Sequence, residues 1–90
     1  MNSAYELVVA GPAARMLAGE LPESVAVAII ELLTGPLIVN PRRLGRELRD
    51  ELAGTWSARR GSYRVLYRID DDARTVTVVR IDHRRDVYRS

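Results

Sequence analysis

Ninety residues are enough for a single domain, taken here as residues 1–90, with one modest hydrophobic core. Hydrophobic residues make up 47% of the chain and charged residues 29%, which is typical of a globular protein and excludes a disordered chain. The absence of cysteine excludes a disulfide framework, a thiolate nucleophile and a cysteine-ligated metal site. Residues 25–33, the longest apolar stretch, are too few to cross a bilayer, and residues 1–6 lack a signal-peptide core, so we expect a cytoplasmic protein.

The 14 basic residues are all arginine, and they are unevenly distributed. Residues 1–41 hold only Arg15 against four glutamates, whereas residues 42–90 hold the other thirteen arginines against eight acidic residues. The formal net charge of +2 therefore combines an acidic half with a basic half, which indicates a polyanionic partner. A GC-rich genome would explain why arginine replaces lysine, but it would not explain the clustering.

The first part of the chain predicts a strand followed by two helices. Residues 5–10 alternate as a strand does, and Gly11-Pro12 ends that strand. Residues 13–20 have the spacing of a short helix, and a second helix begins after Leu21-Pro22. This second helix ends at Gly35-Pro36. The two helices are apolar enough to pack on a sheet as a hairpin.

The second part predicts an antiparallel meander. Leu44, Leu48 and Leu52 have helical spacing, which favours a last turn of helix and then a loop. Three strands follow at residues 55–59, 62–70 and 75–83, separated by Gly61 and by an acidic turn. The fold class is α+β in the order β-α-α-β-β-β, with room for a short C-terminal element.

Most common enzyme sites are absent from the sequence. A single histidine, His83, makes a zinc site improbable, and neither a Gly-x-Ser-x-Gly elbow nor a glycine-rich phosphate loop occurs. The acids at residues 70–72 fit a solvated hairpin turn better than a cation site. We therefore expect no metal and no cofactor.

Arginine and tyrosine remain as the candidate functional groups. Arg59, Arg60 and Arg64 flank one predicted hairpin, and His83 opens a basic segment that ends with Tyr88 and Arg89. Arginine forks match phosphate geometry, and tyrosine stacks on bases. Each residue also has a structural interpretation. Arg64 could pair with an acid such as Asp50, Tyr88 could anchor the chain end, and His83 could have no chemical part.

Two segments, residues 52–70 and 81–89, resemble the RelE toxins of the RelE/ParE superfamily. The resemblance is carried by Gly61-Ser62-Tyr63-Arg64-x-x-Tyr67-x-Ile69 and by His83-Arg84-x-x-x-Tyr88. It implies a RelE-like fold and a toxin of a type II toxin–antitoxin system that enters the ribosomal A site. There it would cleave mRNA without a metal, through attack by the 2′-hydroxyl.

The resemblance also implies residue roles. Arg64 would hold the scissile phosphate, Arg84 would assist departure of the leaving group, and Tyr88 would stack on a base. Arg59 takes the place of the basic residue before the hairpin. The remaining RNA contacts are assigned to Arg46, Arg60 and Arg85.

One departure from the family pattern concerns the general base. Thr55 and Ser57 stand where RelE has two lysines, one of which is thought to be the base. Since arginine accepts protons poorly, His83 is the more plausible acid or base here.

Two other functions stay open at this point. One is a ParE-like protein that inhibits DNA gyrase without cutting RNA, and the other is an inert homologue that acts only as a corepressor with its partner. In each case the expected partner is a cognate antitoxin, which would wrap the helices or cover the basic face. No membrane association is expected.

Overall fold

A computed structural model describes residues 4–83 of the chain. Its strands are β1 (Glu6–Val9), β2 (Arg46–Glu47), β3 (Thr55–Arg60), β4 (Tyr63–Asp70) and β5 (Thr75–His83). Its helices are α1 (Gly11–Arg15), α2 (Glu23–Thr34), α3 (Pro36–Val39) and α4 (Pro41–Leu44), with a π-helical turn at Met16–Glu20 and a 3-10 turn at Asp50–Leu52. The α+β prediction is confirmed, including the meander of the last three strands.

The five strands form one sheet in the order β1-β5-β4-β3-β2. Strands β3, β4 and β5 pair antiparallel as consecutive hairpins, and β1 lies parallel beside β5. The β3–β4 turn is tight because Gly61 adopts a φ of 61°, a left-handed conformation that glycine tolerates without strain. This turn sets the register between β3 and β4, which places Arg59 opposite Arg64.

The helices pack on one face of the sheet, and the buried core lies between the two layers. From the helices it takes Ile29, Leu33 and Leu37, and from the strands Val65, Tyr67, Val76, Val78 and Ile81. Val78 and Ile81 are three residues apart, which would place them on opposite faces of a regular strand. A register shift opposite Leu66 and Tyr67 keeps both side chains on the helix-facing side of the sheet. Burial of each large aliphatic side chain contributes about 1.5–3 kcal/mol, so this layer supplies most of the stability.

The chain between the second helix and the meander differs from the prediction. Helical spacing at Leu44, Leu48 and Leu52 favoured one last helical turn, whereas the structure has α3, α4, the edge strand β2 and a 3-10 turn. Helix α4 ends at Leu44 because the chain must pass close to the sheet. A Cβ atom on Gly45 would lie 2.5 Å from the carbonyl oxygen of Ser57. Tertiary packing therefore overrides the local helical pattern.

The short helix after β1 also ends in an unexpected way. It continues from α1 into the π-helical turn, where the Leu21 N–H donates to the carbonyl oxygen of Met16. Leu21 itself is extended, with φ −94° and ψ 147°, as a residue before proline prefers. No helix within residues 4–83 is long and apolar enough to span a membrane.

Candidate functional site

The sheet face opposite the helices carries a row of charged side chains. We call this the open face. On strands β2 to β5 it includes Arg46, Ser57, Arg59, Arg64, Leu66, Arg68, Arg80 and Asp82. Arg59 of β3 lies directly opposite Arg64 of β4, which in turn lies opposite Asp82 of β5. Directly opposed residues share a face, so the two arginine side chains project from neighbouring positions on the same face. Like charges in this position repel each other, and an anion between them would relieve that repulsion.

A groove of about 580 Å³ opens beside this pair of arginines. Its basic lining residues are Arg46, Arg59 and Arg64. Arg46 reaches the groove because strand β2 pairs with β3 and places it opposite Ser57. Arg64 is half-buried and its Nε atom is fully buried, so its guanidinium group is held more firmly than that of the exposed Arg59. The groove thus combines one firmly held guanidinium group, that of Arg64, with two exposed ones, those of Arg46 and Arg59.

A buried hydrogen bond beneath the groove holds the α4–β2 connection, which forms one edge of the groove, in place. The Tyr67 hydroxyl is buried and donates a 2.6 Å hydrogen bond to the carbonyl oxygen of Pro41 at the start of α4. Burial raises the pKa of Tyr67 to about 12, partly opposed by a backbone hydrogen bond with Gly45, so the phenol stays protonated. This contact ties the α4–β2 connection, and hence Arg46, to the centre of the sheet.

Two of the residues predicted for the site lie on the other face of the sheet. His83 is paired with Tyr63, and the two rings meet edge to face with centroids 5.2 Å apart. Arg60 is the other cross-strand partner of Tyr63, and it lines a groove against helix α2. Because side chains alternate along a strand, His83 and Arg60 point away from Arg64. The structure does not bring them together with the arginine pair.

The two hydroxyl residues that replace the family lysines have different surroundings. Ser57 is buried and lines the groove, whereas Thr55 lies two residues further from it along the same strand. A hydroxyl donates and accepts hydrogen bonds but carries no charge at neutral pH. The groove therefore depends on arginine for its positive potential.

Arg80 and Asp82 are open-face residues that the sequence analysis missed. They are two residues apart on β5, and an Arg80 NH2 to Asp82 Oδ2 ion pair joins them at 3.0 Å. Residues i and i+2 of a strand share a face, so the period-two pattern could have found them once the face of Arg64 was known.

A second polar cluster lies at the β4–β5 turn. Arg42 of α4 binds both carboxylate oxygens of Asp71, at 3.0 and 2.7 Å, and the Tyr5 hydroxyl donates to the same carboxylate at 2.7 Å. The hydrogen bond from Arg42 lowers the pKa of Asp71 to about 2, and the bond from Tyr5 adds to this effect. The Arg42 guanidinium also lies 5.9 Å from the centre of the Trp56 ring. These contacts join the segment before β1, helix α4 and the turn, which is a structural role.

Arg84, Arg85 and Tyr88, which the resemblance placed in the site, lie outside the described residues. Within residues 4–83, no group of three or more His, Asp or Glu side chains is arranged to hold a metal ion. The described part of the site is therefore a groove with three arginines and the hydroxyl of Ser57, and arginine is the side chain best suited to bind a phosphodiester.

Comparison with known proteins identifies the class to which this fold and groove belong. Residues 14–88 match the family model described as the ParE toxin of the type II toxin–antitoxin system parDE. The chain therefore belongs to the ParE toxin family of type II toxin–antitoxin systems.

Relatives within the family are more specific. The chain is 54% identical over 70 residues to Toxin RelG of Mycobacterium tuberculosis, covering 78% of this chain and 80% of that protein. It is 47% identical over 85 residues to Toxin RelE of the same organism, covering 94% of this chain and 87% of that protein. Within its family the chain is thus a RelE-type toxin, as the resemblance predicted.

Solved structures agree with the fold. The toxin–antitoxin complex RelBE2 of M. tuberculosis contains a chain with 47% identity and a TM-score of 0.85, covering 90% of this chain and 99% of that chain. The intact Escherichia coli RelBE complex gives a TM-score of 0.75 at 22% identity, covering 89% of this chain and 96% of that chain. The second likeness is one of fold alone.

Proposed function

We propose that the protein is a ribosome-dependent endoribonuclease that cleaves mRNA in the ribosomal A site and so inhibits translation. The observation that carries this proposal is the side-by-side placement of Arg59 and Arg64 in a groove that also contains Arg46. This arrangement suits one phosphodiester, because arginine forks bind phosphate oxygens in pairs and stay charged at any working pH.

The chemistry follows from charge stabilisation. The substrate's own 2′-hydroxyl attacks the adjacent phosphorus and gives its proton to solvent water, and the bond from phosphorus to the 5′-oxygen of the next nucleotide breaks. The reaction leaves a 2′,3′-cyclic phosphate, and the leaving oxygen takes up a proton. Since the nucleophile belongs to the RNA, the mechanism needs no metal to generate one. Negative charge grows on the phosphoryl oxygens in the transition state, and removal of one well-placed donor commonly lowers the rate by about 10²–10³.

Individual roles combine the groove with the family resemblance. Arg64, half-buried and central in the row, would hold the scissile phosphate, and Arg59 would share the developing charge. Arg84 would assist the leaving group and Tyr88 would stack on a base, as the RelE pattern implies. His83 points away from this row, so we give its imidazole no part in proton transfer.

The proposed partner, apart from the ribosome, is a cognate antitoxin. The M. tuberculosis and E. coli relatives were solved as RelBE toxin–antitoxin complexes. An antitoxin segment with acidic side chains would complement the arginines of the open face and block access of RNA to them. Such a toxin would act in the cytoplasm, where translating ribosomes are found.

Substitution of Arg64 is the direct test. Arg64→Ala removes the central guanidinium, and we expect at least a 10²-fold loss in the single-turnover rate of A-site mRNA cleavage on programmed ribosomes. Arg15→Ala, which removes an equal charge from helix α1, controls for net charge, and His83→Gln controls for the opposite face. Both controls should stay within about threefold of the wild-type rate, and circular dichroism should show an unchanged fold.

Two outcomes would contradict this proposal. If Arg64→Ala cleaves as fast as the wild-type protein, Arg64 does not hold the scissile phosphate. If the wild-type protein leaves ribosome-bound mRNA intact but inhibits supercoiling by DNA gyrase, the gyrase-binding function applies instead.

A further inference from the structure

The second feature of the open face is the ion pair between Arg80 and Asp82. The Arg80 side chain is 58% exposed, whereas the Asp82 side chain is only 13% exposed. A pair between two exposed side chains would restrain neither partner well. Here the carboxylate is largely buried, so it provides a fixed point that holds one end of a solvent-facing arginine.

The location of the pair relates it to the groove. Asp82 lies directly opposite Arg64, and Arg80 lies opposite Leu66, one row further along the same face. Two residues along an antiparallel strand correspond to about 7 Å. The backbone of Arg80 is therefore offset from the Arg59–Arg64 pair along the strands, while its guanidinium reaches the carboxylate of Asp82, the residue opposite Arg64.

We propose that Arg80, oriented by Asp82, forms a second phosphate subsite, which binds a phosphate flanking the scissile one on the same RNA strand. Arg80 is the binding residue and Asp82 is a positioning residue that acts through it. This inference rests on the proposed function for the identity of the ligand as RNA, but the subsite can be tested by binding alone.

The charge arrangement gives this subsite a distinctive property. Asp82 is negative, so on charge alone its removal would strengthen the binding of a polyanion. If Asp82 instead positions Arg80, its removal frees a flexible side chain that must then be ordered on binding, and binding weakens. The direction in which Asp82→Asn changes the RNA affinity therefore tells whether Asp82 positions Arg80 or acts only as a nearby negative charge.

The experiment measures binding of a short RNA that cannot be cut. A fluorescent 2′-O-methyl oligoribonucleotide is titrated with the full chain at several salt concentrations, and Kd is read from anisotropy. We expect Arg80→Ala to weaken binding about 3- to 10-fold and to reduce the slope of log Kd against log salt by nearly one phosphate contact, about 0.7. Asp82→Asn should weaken binding about two- to threefold.

A double variant and a charge control complete the design. In the Arg80→Ala background, Asp82→Asn should no longer weaken binding, since the group that it positions is absent. Arg15→Ala should leave the salt slope unchanged. On ribosomes, Arg80→Ala should raise KM more than it lowers kcat, because a flanking phosphate is bound in both the ground and transition states.

Distinct results would overturn the inference and the proposed function. Equal Kd and salt slope for Arg80→Ala and the wild-type protein would refute the subsite, even if mRNA is cleaved. Tighter binding by Asp82→Asn would refute the positioning role. A reduced salt slope for Arg80→Ala with no A-site cleavage by the wild-type protein would support the subsite and reject the nuclease.

Discussion

Asp71 shows how one exposed carboxylate can tie three parts of the chain together. It accepts hydrogen bonds from Arg42 on helix α4 and from the hydroxyl of Tyr5 before β1, while it belongs to the β4–β5 turn. Exposed ion pairs are usually weak, but the fork of Arg42 is bidentate and the Tyr5 bond adds a third contact. These partners favour the charged form and hold the pKa of Asp71 at about 2.

This lowered pKa predicts a pH-dependent contribution to stability. A carboxylate whose pKa is lower in the folded state than its unfolded value of about 3.9 stabilises the fold above that value. The contribution is lost as the pH falls from about 4 to about 2. We therefore expect Asp71→Asn to have a lower Tm than the wild-type protein at pH 7 and pH 5, and the same Tm near pH 2.

Thermal unfolding followed by circular dichroism between pH 2 and pH 7 measures this difference. Asp72→Asn is the matched control, since it removes a carboxylate from the same exposed turn. Asp72→Asn should lower the Tm at pH 7 less than Asp71→Asn does, since the hydrogen bonds from Arg42 and Tyr5 go to Asp71. A constant difference for Asp71→Asn across the same range would mean that ionisation of Asp71 does not contribute.

The sequence brought some candidate residues together as the sheet does and grouped others that the sheet places on opposite faces, for one physical reason. Arg59 and Arg64 could be placed near each other because a tight turn at Gly61 leaves little freedom in pairing. Which face of the sheet a side chain occupies, however, depends on the alternation along the strand, so a shift of one residue moves it to the opposite face. Arg60 and His83 are each one residue from an open-face position, and they point to the helix side. Residues that are adjacent in sequence look like one basic cluster, but in a strand their side chains point to opposite faces of the sheet.

The α4–β2 connection determines where Arg46 sits in the groove. It passes so close to the sheet that a Cβ on Gly45 would lie 2.5 Å from both the Ser57 carbonyl oxygen and the Tyr67 hydroxyl oxygen. Real side chains do not tolerate such distances, and one of the contacted atoms belongs to the backbone. Any larger residue here must push β2 away from β3.

Gly45→Ala therefore tests this element. We expect it to lower the free energy of unfolding by about 1–3 kcal/mol, as overpacking does, and to raise KM for ribosome-bound mRNA because Arg46 is displaced. Gly19→Ala is the control, since a Cβ at that position meets nothing within 4 Å. It should be neutral or stabilising by up to about 1 kcal/mol in urea unfolding. Equal stability of the two variants would mean that the connection is not tightly packed.

Strand β2 marks the limit of what local patterns predict. It has only two residues, Arg46 and Glu47, and no alternation can be read from so short a segment. Its existence depends on pairing of Arg46 with Ser57 and of Glu47 with Trp56, which are eleven and nine residues apart in sequence. The long strands β4 and β5 were predicted nearly to the residue, because β4 carries a period-two pattern over its eight residues and β5 is a long run rich in β-branched residues that follows an acidic turn.

The whole molecule combines a helical layer and an arginine face. Hydrophobic periodicity was sufficient to predict the α+β class and the strand order of the meander. The parallel pairing of β1 with β5 was not predicted, since it joins the two ends of the described chain and has no local signal. That pairing completes the sheet and makes β5, which carries Arg80 and Asp82, an interior strand.

The overall charge predicts that the ribosome supplies most of the binding of mRNA. Of the five arginines on the described open face, three line the groove and Arg80 lies one row away from them, and the formal net charge is +2. Four phosphate contacts on a single strand give a salt slope of about −3, so a threefold rise in salt weakens binding of naked RNA about 20-fold. We expect rapid A-site cleavage at about 150 mM salt on programmed ribosomes and negligible cleavage of the same mRNA free in solution.

Lowering the salt should restore some binding of free RNA without restoring fast cleavage, because the ribosome also orients the scissile linkage. Comparable cleavage rates for free and ribosome-bound mRNA at 150 mM salt would show that the groove alone binds and orients its substrate.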